Sequence, residues 1–418
     1  MALVLRGGLM WDGVADQPRP ADLVVDEVVT GVHDPGQARP GADDLVVELD
    51  GAFVLPGLVD AHVHLVWSGG ADPVAVLQQE GEQLTVVRAL TNAQQQLRAG
   101  VTTVRDLGSS FDIAVTVARA VDRGLCEGPT VIASGRTVIM TGGHDPFWGV
   151  FSDGPEACTR AVRQQVSVGA GVIKTAATGG VYGRSEGEQV GQSELTFEEL
   201  AAISAEAHRL GRRVAAHALG TDGIRNAVLA GIDTVEHGVF LTEDIVEHMR
   251  VQGTVLCPTL AVYRTLADGV DGTIPAYATG KATEVTDAHR ASFAMALEAG
   301  IPIIAGTDAG APHTPHPSLV TELETLHAYG MTPVQALRAA TSTAAAATDA
   351  PAGTGTIGAG APADLLIVTD DPFAHPAALR DVWGVVRHGH PVVTTSPFAL
   401  MGAYGAAMPT AAGVRWTT

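Results

Sequence analysis

The 418-residue chain is short of three kinds of residue, and each shortage excludes something. Aromatics make up 5%, so the core has to be packed from aliphatic side chains and alanine. Lysine and arginine number 25 against 46 acidic residues, a formal charge of −21. A surface of that sign repels phosphate backbones and anionic lipid, which excludes nucleic acid and membrane as partners. Cysteine is limited to Cys126, Cys158 and Cys257, odd in number, far apart and in no metal-like spacing. A reduced, cytoplasmic setting fits them. No apolar run approaches the roughly 18–20 residues that cross a bilayer. The opening MALVLRGGLMWDG has no basic stretch followed by a long apolar one, as a leader would. The expectation is a soluble, cytoplasmic protein with a small-molecule partner.

What the chain does have is apolar bulk and histidine. Hydrophobic residues are 46% and charged ones 17%, which excludes disorder and favours one large core. The 15 histidines have no propensity reason to accumulate.

The two ends share one texture. LVLRGG, DLVVDEVV and DLVVELDGAFVL near the start, and ADLLIV (363–368) and DVWGVVRHG (381–389) near the other end, read as short strands between turns. The middle alternates apolar runs with helical patterns. The runs are GLVDAHVHL, VTTVRDLG, PTVIASG, GVIKTAA, RVAAHALG, IDTVEHG, TVLCPT and IPIIAGTDAG, eight candidate strands over about 300 residues. Helical patterns such as 197–211 and 221–231 close on glycine. The spacing predicts an α/β fold: a (β/α)8 barrel over 57–355 and a small β-sandwich domain composed of 1–56 and 356–395. The segment 260–300 is predicted to form a lid or an extra helix, and the tail 396–418 shows no period.

The polar residues fall at the strand ends. His62 and His64 alternate on the first run and so face one side. Lys174 ends the fourth, His217 the fifth, His237 the sixth and Asp308 the eighth. The intervals of 110, 43, 20 and 71 residues from His64 through to Asp308 follow the strand–helix period. All six therefore reach the carboxyl-terminal mouth, where barrels do chemistry. Imidazoles with a carboxylate suit zinc or a similar divalent ion. An ammonium cannot be a ligand. Buried and unpaired, Lys174 would tend to lose its charge, and the neutral amine with carbon dioxide gives a carbamate that can bridge two metal ions. The plainer alternative pairs Lys174 with a buried acid such as Asp106 or Glu236.

Together VDAHVH, the Lys174 strand, VAAHA, VEHG and AGTDAG resemble the amidohydrolase superfamily, as do Leu55–Gly57 before them and GAGAPADLLIV after them. The resemblance runs from about residue 3 to residue 392. TTVRDLG, TGGH (141–144) and VEHG bring it nearest to the prolidase-like and imidazolonepropionase-like members. It implies that His62, His64 and Asp308 hold one metal ion, that His217 and His237 hold a second, and that carboxylated Lys174 bridges them. It implies hydrolysis of an amide-type C–N bond by a metal-bridging hydroxide, with Asp308 as general base and then acid. The substrate would be a dipeptide, an N-acyl amino acid, or a related carbamate or urea. His144 would bind the oxyanion or the substrate, or else pack as an ordinary loop histidine. Tyr182 and Arg184 lie on the mouth-side loop after Lys174, where Arg184 would clamp a carboxylate or simply be solvated. His313 and His316 would be exposed or would stand behind the ligands, Arg105 and Asp106 would form an internal pair, and Cys257 would be a small core residue. Relatives of this kind are often homo-oligomers.

Other readings stay in view. Cyclic-amide hydrolases share the lysine-bridged site. Mononuclear imidazolonepropionases and deaminases lack the strand-four lysine and commonly carry Glu three residues after the strand-five histidine; here Lys174 is present and residue 220 is Gly. A non-catalytic barrel predicts a lost ligand, and none is lost.

Overall fold

Seven of the eight apolar runs form strands: Leu58–Val63, Val101–Asp106, Thr130–Ala133, Ile173–Ala176, Val214–Ala218, Thr234–His237 and Val255–Cys257. The structure is a computed structural model that describes residues 2–184 and 187–394. The first three strands pair in parallel in one sheet, and the next four pair in parallel in another. Most are buried along their whole length, because helices cover one face and side chains from facing strands cover the other.

The eighth run departs from the expectation. Residues 301–310 form no named strand, only parallel bridges from Ile303 to Leu256 and from Ala309 to Val63. Pro302 has no N–H to give a ladder, and Asp308 turns the backbone to a left-handed φ of 57°. The segment still links the last strand to the first: Ile304 N donates to Leu256 O, and Asp308 N to His62 O. The stretch after residue 137 lies outside the eight apolar runs and also forms strand. It contributes Val138–Ile139, which pairs with the Lys174 strand, and Val150–Phe151.

Helices begin and end where their chemistry says. Phe197–Arg209 starts on a capping box between Thr196 and Glu199, and Gly211 follows at φ +69°. The segment 260–300 forms the helices Leu260–Asp268 and Ala276–Glu298. The second buries Ala278, Ala282, Val285, His289 and Phe293 on one stripe. His289 bonds to His237 O at 3.0 Å and Ser292 Oγ to Val239 O at 2.6 Å, so this helix is an extra helix packed on the His237 strand.

The chain ends meet in one sheet. Leu365–Val368 runs antiparallel to Phe53–Pro56, with Leu366 opposite Leu55, and Val382–Arg387 and His390–Thr394 continue outward. On the other side Leu3–Met10, Arg19–Val25 and Val29–His33 follow in order. Leu3, Leu5, Leu23, Val54, Leu365, Ile367 and Val386 form a core of their own, drawn from both ends. The tail 396–418, and residue 395 of the expected β-domain, lie outside the described residues. Among the described residues no helix is long and apolar enough to cross a membrane.

Gly389 marks the join. It has φ +77°, its N–H donates to Ala363 O, and an added Cβ would stand 1.8 Å from Asp26 O. Both the left-handed backbone and the contact with the N-terminal half exclude a side chain. Gly389→Ala should therefore destabilise the fold by about 1–3 kcal/mol, read as a lower thermal midpoint. An unchanged midpoint would mean that the two ends are not packed this tightly.

Candidate active site

Each sequence-derived candidate on a strand end arrives at one cavity. Its lining includes His62, His64, His144, Lys174, His217, His237 and Asp308. The ring of His62 lies 5.3 Å from that of His64 and 5.2 Å from that of His237, and His217 lies 4.7 Å from His237. One donor atom each from His62, His237 and Asp308 falls within a 4.8 Å span. His237 and Asp308 reach this geometry at positive φ, 72° and 57°. Non-glycine residues hold such values only where the surroundings impose them.

The second atoms of these candidate ligands are tied. His62 Nδ1 bonds to Glu236 Oε2 at 2.9 Å, His64 Nδ1 to Gly108 O at 3.1 Å, and His237 Nδ1 to Thr259 Oγ1 at 2.7 Å. Three rings are thus oriented through Nδ1 with Nε2 left toward the cavity, the arrangement that fixes tautomer and direction in metal-binding histidines. His217 Nε2 and Asp308 Oδ1 are buried without a hydrogen-bond partner among the described residues. Asp308 Oδ1 lies 3.2 Å from His64 Nε2 and 3.6 Å from His62 Nε2, close but without hydrogen-bond geometry. Buried polar atoms are rarely left this way, and a shared cation satisfies all of them at once.

Lys174 is 1% exposed and has no hydrogen bond or ion pair among the described residues. The acids proposed for it are engaged elsewhere. Glu236 accepts from His62, from Thr234 Oγ1 at 2.5 Å and from Arg105 Nη2 at 2.9 Å. Asp106 accepts the backbone N–H groups of Leu65 and Gly108. The plainer reading of Lys174 as a paired lysine therefore fails. So does the pairing of Arg105 with Asp106: neighbours on a strand face opposite sides, and Arg105 turns inward to Glu236 and Ala61 O.

Burial sets the charge states. It pushes the Lys174 ammonium down from its ordinary range, and it drives His217 and His237 well below theirs, helped by neighbouring cations. Burial would raise Glu236, but Arg105 and His62 outweigh it and hold the carboxyl low. Burial would likewise raise Asp308, and His62, His64 and Lys174 keep it ionised.

The remaining candidates divide. His144 lines the cavity and stacks on His217 at 4.0 Å. Its Nδ1 bonds to Glu188 Oε1 at 2.6 Å; burial opposes the imidazolium, yet Asp145 and Glu188 lift it to about 9. Tyr182 lines the cavity with its ring, but its hydroxyl is spent on Asp72 at 2.7 Å. Arg184 is not among the lining residues, so the structure does not bring it in as a carboxylate clamp. His316 stands behind His64, bonding to its carbonyl at 3.3 Å, and His313 turns away to Thr273. Cys257 is fully buried, as expected of a core residue. Tyr263, from the segment 260–300, lines the cavity, as does Trp67, and neither Trp67 nor Glu188 is signalled by the sequence. Glu188 sits in a polar loop whose composition says solvent, yet it also accepts Gly180 N at 2.7 Å and Arg184 N at 2.6 Å. A larger cavity of about 1060 Å³ lies outside the strand series beside the helix Glu82–Arg98, and only His316 of the candidates touches it.

Position 220 explains itself here. A Cβ on Gly220 would meet Gly191 O at 1.9 Å, so no glutamate fits there without moving the loop.

Comparison with known proteins identifies relatives of the whole chain. The model of the Amidohydrolase family matches residues 53–396. Ochratoxinase of Aspergillus niger is 32% identical over 371 residues, covering 79% of this chain and 74% of that protein. The crystal structure of a Xaa-Pro dipeptidase with bound methionine superposes with a TM-score of 0.87 at 28% identity, covering 94% of this chain and all of the other. That of a prolidase complexed with N-methylphosphonate-L-proline gives 0.85 at 27% identity, covering 94% and 100%.

Two measurements check the supporting groups. Arg105 and Glu236 are 1% and 0% exposed, so Arg105→Met leaves a buried carboxylate short of its partner and should cost about 3–5 kcal/mol in denaturant unfolding. A loss under about 1 kcal/mol would show the pair to be solvated. Glu188→Gln should bring the His144 titration midpoint down from about 9 toward the ordinary imidazole range, read by NMR. A raised imidazole pKa means that the pair favours the fold most below the unfolded midpoint and loses that contribution as pH rises through 9. The stability gap between wild type and variant should therefore close in alkali.

Proposed function

The chain belongs to the amidohydrolase family, in its prolidase-like branch, and on that premise we propose that it hydrolyses an amide-type C–N bond of a small molecule at a two-metal site. Its parallel strand series reads as a (β/α)8 barrel over residues 57–355, with 1–56 and 356–395 folding into a β-sandwich domain. The proposed ligands are His62, His64 and Asp308 for one ion and His217 and His237 for the other, with Lys174 bridging as its carbamate. The observation that carries the reading is the buried, partnerless Lys174 amine among histidines whose outer nitrogens are already tied.

The carbamate forms by attack of the neutral amine on carbon dioxide: an N–C bond is made, one proton leaves to solvent, and a carboxylate remains on the long stem. Zinc or a similar divalent ion, when bound, supplies the positive charge that acidifies water and polarises the scissile carbonyl. The chain's own groups do the rest. Asp308, ionised, takes the proton of the attacking water and returns it to the departing nitrogen as the C–O bond forms and the C–N bond breaks. His144, held through Nδ1 by Glu188, would turn Nε2, now 3.4 Å from Asp145 Oδ1, to the oxygen that gains charge. Glu236 and Thr259 keep His62 and His237 in one tautomer throughout.

Dipeptides and N-acyl amino acids are the proposed substrates. The purified protein should release amine from some of a panel of such compounds, and a chelator should stop it. Lys174→Ala should lower kcat at least about a hundredfold, with partial recovery in bicarbonate or short carboxylates. A panel with no amide turned over would contradict the proposal.

A further inference from the structure

Asp308 sits where no full ladder holds it. Its segment forms no named strand, makes only isolated bridges to its neighbours, and turns to φ 57° at Asp308 itself. A backbone of that kind keeps its shape only where its surroundings impose it.

The fixing bonds come from Asp60, a fully buried residue of the strand Leu58–Val63. Its Oδ1 accepts Thr307 N at 3.1 Å and His62 N at 3.3 Å. Its Oδ2 accepts Thr307 Oγ1 at 2.7 Å. The same hydroxyl accepts Ala309 N at 3.0 Å. Thr307 and Ala309 are the chain neighbours of Asp308, so one carboxyl and one hydroxyl bracket it. Gly306, one step earlier, leaves no slack: an added Cβ would stand 2.7 Å from His62 Cβ and 2.5 Å from Cys257 Sγ.

Charge pairing does not account for Asp60. Its remaining contact is Gln96 Nε2 at 3.5 Å, and no cation bonds to it among the described residues. Burying a carboxyl among neutral donors costs desolvation that such bonds only partly offset. What the arrangement gives is direction. Gln96 Nε2 also lies 3.1 Å from His316 Nδ1, and His316 Nε2 lies 3.3 Å from His64 O, so the contacts of Asp60 extend to all three ligands proposed for the first ion.

We infer that Asp60 is a positioning residue for Asp308: through the Thr307 hydroxyl it holds the turn 306–309 against the first strand, so that the Asp308 carboxylate stays beside His62 and His64. The inference rests on the amide-hydrolase reading and adds a residue to it.

The test uses two variants that break the link from either end. Thr307→Val keeps the side-chain shape and removes the hydroxyl. Asp60→Asn keeps one oxygen and turns the second acceptor into a donor. On whichever dipeptide or N-acyl amino acid the wild type cleaves, each should lower kcat at least about tenfold with KM within about threefold. In their crystal structures the Asp308 carboxylate should move by about 1 Å or more from its place 3.2 Å from His64 Nε2. Thr307→Ser, which keeps the hydroxyl, should recover kcat to within about threefold of wild type. The double variant should lose no more than the larger single loss, because both act through one hydrogen bond. An unchanged kcat, an unmoved Asp308, no recovery with serine, or losses that multiply in the double variant each overturns the assignment and leaves amide hydrolysis standing. If one single variant does not fold, the other is read alone; if neither folds, Asp60 serves the fold only and the assignment is overturned. A wild type that cleaves no amide, with Asp308 displaced in the variants, overturns the hydrolase reading and keeps Asp60 as the anchor of Asp308.

Discussion

The interaction on which the site depends is one that Lys174 does not make. An ammonium sealed from water needs a counter-ion, and the two nearest acids in the sequence reading are already taken. Arg105 claims Glu236 from across the strands, and backbone N–H groups claim Asp106. Burial lowers the ammonium's pKa, against the pull of Glu236, Asp145 and Asp308, and so favours the neutral, nucleophilic amine. Had Glu236 turned to Lys174, His62 would have lost the acceptor that fixes its tautomer, and Arg105 would have become the buried charge without a partner. One ion pair thus does two things: it keeps Glu236 from pairing with the lysine and it holds a histidine in place.

The same economy runs through the other groups. Gly108 O, Thr259 Oγ1 and Glu236 each hold one ring by its outer nitrogen. His289 and Ser292 bring the helix Ala276–Glu298 against the His237 strand. From the same helix Lys281 Nζ donates to Gly180 O at 3.4 Å and Arg184 O at 3.3 Å, so it also secures the loop that carries Glu188. The carboxylate of Glu188 then anchors His144. The mouth is therefore built from parts that are tied to one another.

Much of this was legible in the sequence, for reasons that differ by residue. His62, His64, Lys174, His217 and His237 stand at the ends of apolar runs, and a strand end has only one mouth to face, so spacing alone grouped them. Asp308 lines the same cavity although its run is not a full strand, because its backbone still bonds to His62 O. The meeting of the chain ends was legible in the shared texture of their strands. What the sequence hid was direction. Arg105 and Asp106 are adjacent and opposite in charge, which reads as a pair, but strand alternation sends them apart. Tyr182 and Arg184 sit on the right loop, yet one hydroxyl was already spent and the other side chain lay outside. Glu188, in the stretch GRSEGEQ, looked like solvated loop, and only the folded position of His144 gives it a role.

The measurement that bears most directly on the central claim is the metal content of the purified protein, set against its concentration of folded chain. The two proposed ligand sets predict about two divalent ions per chain. One ion or none would contradict that, because the unpaired Lys174 amine and the unpartnered His217 and Asp308 atoms would then have nothing to hold.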